Sequence, residues 1–165
     1  MLNLNVTSPS LNELIARFDA LPGEVNAALQ STVRLAQLHL RDQLAEEAPT
    51  GATGVLSTHF EADRPYISRD IVRGIVGTAP PAYYGIYVEG GTQAHRKGPP
   101  PIEPLRMWVS RVLMIGDPEE QESVAHAIQW SIKQRGVPAQ HFASKTIERE
   151  QSVIDSFFTT ALQRL

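Results

Sequence analysis

The chain contains no cysteine among its 165 residues. Disulfide bridges, thiol nucleophiles and thiolate metal sites are therefore excluded. No apolar run approaches the ~18–20 residues that a membrane-spanning helix needs, so we expect no membrane partner. An excess of one charge is also lacking, because the formal net charge is only −3. That balance provides no overall positive field for binding nucleic acid.

Apolar side chains are plentiful enough to form a core. Hydrophobic residues make up 42% of the chain and charged residues 20%, which is typical of a globular protein and not of a disordered one. A length of 165 residues suits a single domain. We therefore treat 1–165 as one domain, to which a helical arm (1–21) and a proline-rich loop (93–104) belong.

The first ~48 residues have the periodicity of helices. Leu11, Leu14, Ile15 and Phe18 predict one apolar helix face in the arm, and the Leu-Pro-Gly sequence at 21–23 predicts a break after it. A second helix should then run to Pro49, roughly 40 Å at 1.5 Å per residue. A helix of this length usually overhangs its own core and packs on something else. Its predicted apolar stripe comprises Val25, Leu29, Val33, Ala36, Leu40 and Leu44.

The middle of the chain predicts a small antiparallel sheet. Residues 55–62 alternate between apolar and polar, and residues 71–78 are rich in β-branched side chains. The polar segment 63–70 should connect these two strands. Residues 83–89 are compatible with either a strand or one to two helical turns.

Helices are predicted again after the loop 93–104, which holds four prolines together with Arg96 and Lys97. One helix should follow the loop, and a second should begin at Asp117, because a capping acid, a first-turn proline and further acids come in succession there. A last helix should run from about residue 138 to the end. The order of helices, sheet and helices predicts an α+β fold with a long N-terminal helix, a small antiparallel sheet and C-terminal helices.

No catalytic constellation is evident. The five histidines lack the spacing of a metal site, and no serine lies in a Gly-x-Ser-x-Gly motif. Two of the three acids Glu61, Glu89 and Glu103 could meet in space as the carboxylate pair of a glycosidase, but acids in such a chain are usually surface residues. We expect no enzyme activity, no metal and no cofactor.

One stretch has a local positive charge. Arg96, Lys97, Arg106 and Arg111 face only one acid between residues 96 and 111, and Trp108 lies nearby. This pattern leaves open a small nucleic-acid-binding or nuclease accessory domain. Trp108 falls on the apolar face of its predicted helix, however, which favours core packing over stacking on a base.

Features of an interaction protein recur instead. Tyrosines cluster at Tyr83, Tyr84 and Tyr87, and tyrosine is favoured at interfaces because it buries a large area with little loss of entropy. The same tyrosines could simply cover the sheet. Both interpretations remain open at this point.

Several short motifs, weak singly but specific in their order, resemble the minor tail, tail-completion and head–tail joining proteins of tailed double-stranded DNA bacteriophages. The resemblance covers about residues 10–160. The motifs are APTGATGVL at 48–56, VGT at 76–78, YGIYVEGGT at 84–92, PPIEPL at 100–105, WV at 108–109, AHAI at 125–128 and RG at 135–136.

The resemblance implies a structural virion protein without catalysis, located in the neck or tail and assembled in the host cytoplasm. Members of the family form rings, commonly hexameric, that join the tail to the head. Implied partners are further copies of the chain, the neighbouring neck or connector proteins, and the tail-tube or tail-terminator proteins. DNA would pass through the lumen without specific binding.

The resemblance also indicates which residues make contacts with other subunits. The turn 88–92 and the loop 93–101 are the first candidates, and the N-terminal helix is the next. The alternative is that the glycines only form a tight turn that the fold requires. The predicted interaction residues are Tyr84, Tyr87, Glu89, Gly90, Gly91, Thr92, Arg96 and Lys97.

Overall fold

The computed structural model describes residues 9–68, 71–94 and 98–163, with side chains described from residue 23 onward except those of Ser68 and Leu162. It confirms the predicted α+β fold with a long N-terminal helix, a small antiparallel arrangement of strands and C-terminal helices. The elements in chain order are α1 (Pro9–Glu47), α2 (Val55–Thr58), β1 (Phe60–Ala62), β2 (Tyr66–Ser68), β3 (Ile71–Arg73), β4 (Val76–Thr78), a 3₁₀ turn (Ala82–Tyr84), α3 (Gly85–Gly90), α4 (Ile102–Val112), α5 (Pro118–Arg135) and α6 (Phe142–Leu162).

Helix α1 is continuous from Pro9 to Glu47, so the predicted break at 21–23 was wrong. Residues 9–21 of the predicted helical arm (1–21) belong to this helix, and residues 1–8 lie outside the described residues. Proline is compatible with helical φ, and although inside a helix it removes one hydrogen bond and crowds the carbonyl of residue i−4, the result can be a kink without an end of the helix. The 39 residues of α1 give a length of about 58 Å. The end before Pro49 was predicted correctly, since α1 ends at Glu47.

Helix α6 packs antiparallel against the C-terminal half of α1. Arg149 near the start of α6 pairs with Glu47 at the end of α1, with 2.7 Å between Nη1 and Oε1. About two turns of α1 earlier, the ring of His39 lies 2.7 Å from the Glu150 carboxylate and meets the ring of Phe157 edge-on. Hydrogen bonds from Arg149 and His39 hold the pKa of Glu150 below its ordinary value. The pairing fixes the register of the two helices.

The core lies where α1, α6 and the strands meet. The phenyl rings of Phe60 and Phe142 make a T-shaped contact with 6.3 Å between their centroids. Leu56 is only 1% exposed and reaches this cluster from α2. The buried cluster consists of Leu44, Ala48, Leu56, Ala82 and Phe142.

The strands form two short antiparallel pairs in place of one. β1 pairs with β4, as predicted for 60–62 and 76–78, but β2 and β3 form a second pair between them. The polar segment 63–70 is therefore not a plain connection. Residues 55–58 form helix α2 and not a strand, and in this turn the hydroxyls of Ser57 and Thr58 donate to the carbonyl of Gly54.

Helices α4 and α5 form an antiparallel hairpin of their own. Arg106 on α4 is paired with Glu122 on α5, and the Gln129 amide donates to the carbonyl of Pro100. Val109 and Ala125 are fully buried between them. Because α4 begins at Ile102, the predicted loop 93–104 ends earlier than expected, at residue 101. Among the described helices, none is long and apolar enough to cross a membrane.

Candidate interaction surface

Segment 83–89, for which the sequence allowed either a strand or helical turns, is helical. Its inward side makes contacts with other parts of the chain. The carboxylate of Glu89 accepts hydrogen bonds from the backbone N–H groups of Ala143 and Ser144 and from the Ser144 hydroxyl. These are the second and third residues of α6, where an N-cap side chain normally binds. His141, the residue before α6, has a left-handed backbone and no capping bond of its own. Glu89 therefore caps α6 from a distant part of the chain.

The electrostatics of Glu89 fit this role. Partial burial opposes ionisation, but hydrogen bonds from Ser144 and the backbone N–H of Ala143, together with nearby His141, lower the pKa of Glu89 below its ordinary 4.5. A negative charge at this end of a helix is also favoured by the helix dipole. The carboxylate is thus engaged within the chain, which argues against its part in a catalytic carboxylate pair.

The next residues form a clasp between α3 and the α5–α6 connection. The N–H of Thr92 donates to the carbonyl of Val137 at 2.8 Å, and the N–H of Val137 donates back to the Thr92 carbonyl. Gly91 has a φ of 69°, and a Cβ on it would lie 2.6 Å from the Val137 oxygen. Gly136 has a φ of 77°, and a Cβ on it would collide with the Thr92 carbonyl oxygen. Only glycine permits this approach.

The predicted interaction set therefore divides. Glu89, Gly91 and Thr92 make contacts within the chain. This agrees with the alternative that the turn is one the fold itself requires. Gly90 is exposed, with nothing within 4 Å of an added Cβ. Arg96 and Lys97 lie outside the described residues. Tyr84 and Tyr87 remain as exposed candidates.

The outward side of the same segment is apolar. Tyr83 is 64% exposed, Ile86 71% and Tyr87 62%. Their spacing of i, i+3 and i+4 places them on one face of the helical turns. We call these three residues the aromatic knob. Tyr83 also lies beside the β1–β4 pair, where it lines a small cavity with Gly77 and Thr78. Together the three residues expose about 400 Å², within the range of the largest apolar patch on a typical monomer.

A groove lies beside the knob. It has a volume of about 510 Å³ and runs between the loop at 51–53 and helix α4, with Tyr84, 42% exposed, on one wall. We call it the α4 groove. Trp108 is half-buried and lines it, so this side chain is neither a core residue nor a free stacking platform. The α4 wall also contributes Pro104, Leu105 and Met107.

Sequence reasoning missed two parts of this surface. Ile86 belongs to the knob, and its i+3 spacing from Tyr83 would have indicated so had the helical alternative been chosen. The α4 groove had no signal in the sequence, because the loop at 51–53 and α4 lie about 50 residues apart and meet only in the folded chain.

Within the described residues, no group of three or more histidine, aspartate or glutamate side chains could hold a metal ion. His39 and His126 each lie within 3.0 Å of a glutamate, and the His59 ring bonds to the Val55 carbonyl. These histidines have protein partners.

No protein-family model, curated protein or solved structure matches the chain. The resemblance to phage neck and tail proteins therefore stays a prediction that no relative tests.

Proposed function

We propose that the chain is a structural subunit of a tailed double-stranded DNA phage virion that assembles as a ring at the head–tail junction. The observation that carries the proposal is the aromatic knob. Segment 83–87 contains no charged residue and exposes two large aromatic side chains and an isoleucine beside an apolar groove. Surfaces of this composition are typical of protein interfaces, whose centres are poor in charge and rich in tyrosine.

The clasp behind the knob supports the same function. An interface needs side chains that are held in place before the partner arrives, since ordering them on binding reduces the affinity. The Glu89 cap and the Thr92–Val137 bonds fasten α3 to α6 and to the α5–α6 connection. The knob is thus presented on a fixed turn and not on a free loop.

The charge of the chain suits a channel for DNA. A net charge of −3 on each subunit, repeated around a ring, would not hold the DNA backbone tightly. The order of motifs from residue 48 to 136 supplies the phage context, with neck or connector proteins on one side and tail-tube or tail-terminator proteins on the other.

Electron microscopy of the concentrated protein tests this function. The proposal predicts closed rings with an open lumen, and a virion density map should place the same ring in the neck. A DNA-binding assay on the same sample tests the alternative, in which the chain is a nucleic-acid-binding domain. Tight, salt-dependent binding of DNA by a monomer would contradict the proposal and favour a nucleic-acid-binding domain.

A further inference from the structure

A second groove lies between α1 and α6, at the end of α6 that is distant from the knob. It has a volume of about 360 Å³, at the lower end of the range for sites that hold a small ligand. Leu35 and Phe157 form its apolar walls, and Ala28 and Ala161 leave room between the two helices. We call it the α1–α6 groove.

Three hydroxyl groups line this groove, and their hydrogen atoms are already used. Ser31 and Thr32 both donate to the carbonyl of Ala28 at 2.8 Å, and Thr160 donates to the carbonyl of Ser156 at 2.8 Å. A hydroxyl has one hydrogen and two lone pairs, so each oxygen can still accept a bond. The α1–α6 groove therefore fits an apolar ring that carries a hydrogen-bond donor.

The lining of the groove restricts the ligand further. The groove itself is lined by no charged side chain among the described residues. An uncharged aromatic group would enter without leaving a buried charge unpaired.

The chain itself presents such groups on the aromatic knob. Tyr83 and Tyr87 expose phenol rings, and a phenol hydroxyl can donate one hydrogen bond. The knob segment is as free of charge as the groove. The exposed area of the knob is about 400 Å², which is half of the ~800 Å² that each partner contributes to a stable interface. Residues around the knob and around the groove would have to supply the remaining contact area.

A knob cannot enter the groove of its own chain. The knob is fastened to the first turn of α6 through Glu89, whereas the groove lies at Phe157 to Ala161, 13 to 17 residues further along the helix. At 1.5 Å per residue these points are about 20–25 Å apart. The two faces are therefore different surfaces at opposite ends of one rigid helix.

We infer that the aromatic knob of one copy docks into the α1–α6 groove of the next copy, with a tyrosine hydroxyl donating to the groove hydroxyls. Two different faces in contact make a heterologous interface, which closes into a ring or extends as a filament. The inference rests on the proposed function and names the surface through which the ring would form.

Cross-linking between single-cysteine variants tests the contact, because the natural chain has no cysteine to interfere. A chain with Ile86→Cys and a chain with Ser31→Cys are mixed and treated with a short bismaleimide. The inference predicts a covalent dimer in the mixture, and a ladder of multimers when both substitutions are in one chain. A matched control replaces Ser31→Cys by Gln134→Cys, an exposed position at the end of α5.

A mixture that is cross-linked no more than this control overturns the inference. Light scattering on the same samples then separates two cases. If the protein still assembles, only the inferred contact is wrong. If it stays monomeric, the proposed function fails with it.

A second set of variants tests the chemistry of the groove. Thr160→Val removes one acceptor without changing the shape, and we expect association about 2- to 10-fold weaker. Ala161→Trp fills the groove and should weaken association by more than ~10-fold, whereas Ala127→Trp on the exposed face of α5 should not. Unfolding curves identify variants that no longer fold. Folded groove variants that assemble like the unmodified chain overturn the inference.

Discussion

The carboxylate of Glu89 accepts a hydrogen bond of 2.8 Å from the backbone N–H of Ala143, so that a side chain of α3 caps the first turn of α6. Because this bond holds one side of α3 against α6, the opposite side of α3 is the one available to a partner. The residues after Tyr87 bind inward to α6 and Val137, while the tyrosines and Ile86 face outward. One short segment thus supplies both the fastening and the exposed apolar face.

Replacing Glu89 should destabilise the fold and not only an interface. We expect Glu89→Gln to lower the free energy of unfolding by about 1 kcal/mol at pH 7, because the first turn of α6 loses its charged cap. Denaturant unfolding measures the change. Glu148→Gln, on an exposed position of the same helix, is the matched control and should change stability by less than about 0.5 kcal/mol.

The contribution of Glu89 should also depend on pH. Its pKa is lowered in the folded state, so the stabilisation is fully present above the unfolded value of 4.5 and is lost as the pH falls through the folded value. The difference in stability between the natural chain and Glu89→Gln should therefore shrink below pH 4.5. A difference that stays constant into more acidic solution would show that the carboxylate charge plays no part.

Two neighbouring glycines should respond differently to the same substitution. Gly91→Ala places a Cβ 2.6 Å from the Val137 oxygen at a φ of 69°, and we expect a loss of about 2 kcal/mol or more. Gly90→Ala meets nothing within 4 Å and should be tolerated within about 0.5 kcal/mol. Thermal unfolding compares the two. Equal effects would mean that the clasp at Gly91 is not as close as described.

Truncation of the core residue Leu56 should be costly. Its side chain is 1% exposed, so Leu56→Ala leaves a cavity and should lower stability by about 2–5 kcal/mol. Leu113→Ala, at a position that is 44% exposed, serves as the control and should cost less than 1 kcal/mol by order of magnitude. Similar losses in both variants would contradict the assignment of Leu56 to the main core.

The two helix caps show what the sequence can predict. Asp117 was identified as the cap of α5 because its partner, the N–H of Glu120, is three residues away, and the structure confirms this bond at 2.8 Å. Glu89 caps α6 from 54 residues away, and no spacing rule connects it with Ser144. Local patterns predicted the end of α1, the start of α5 and the pair formed by β1 and β4. They did not predict that α1 continues through 21–23, nor the contacts of Glu89 with α6.

The alternating pattern at 55–58 predicted a strand where the structure has a helical turn, because the pattern does not show which distant residues Leu56 contacts. Leu56, Thr58 and Phe60 were placed on one side of a predicted strand, but the Leu56 side chain enters the core from a helical turn. The interaction surface was predicted in part. Tyr84 and Tyr87 are exposed, but which side of the turn faces outward depends on the partners of Glu89 and Thr92, and these come from the far end of the chain.

The central claim is that the chain assembles through its exposed aromatic knob, and mass measurement by light scattering tests it most directly. The natural chain should grow from 18.2 kDa to a closed multimer as its concentration rises toward about 1 mM. Ile86→Lys should remain at the monomer mass with unchanged unfolding, because a charge in the centre of an apolar interface opposes association. Met114→Lys, 84% exposed at the turn after α4, should assemble normally. A natural chain that stays monomeric over this range, or an Ile86→Lys variant that assembles equally well, would contradict the account.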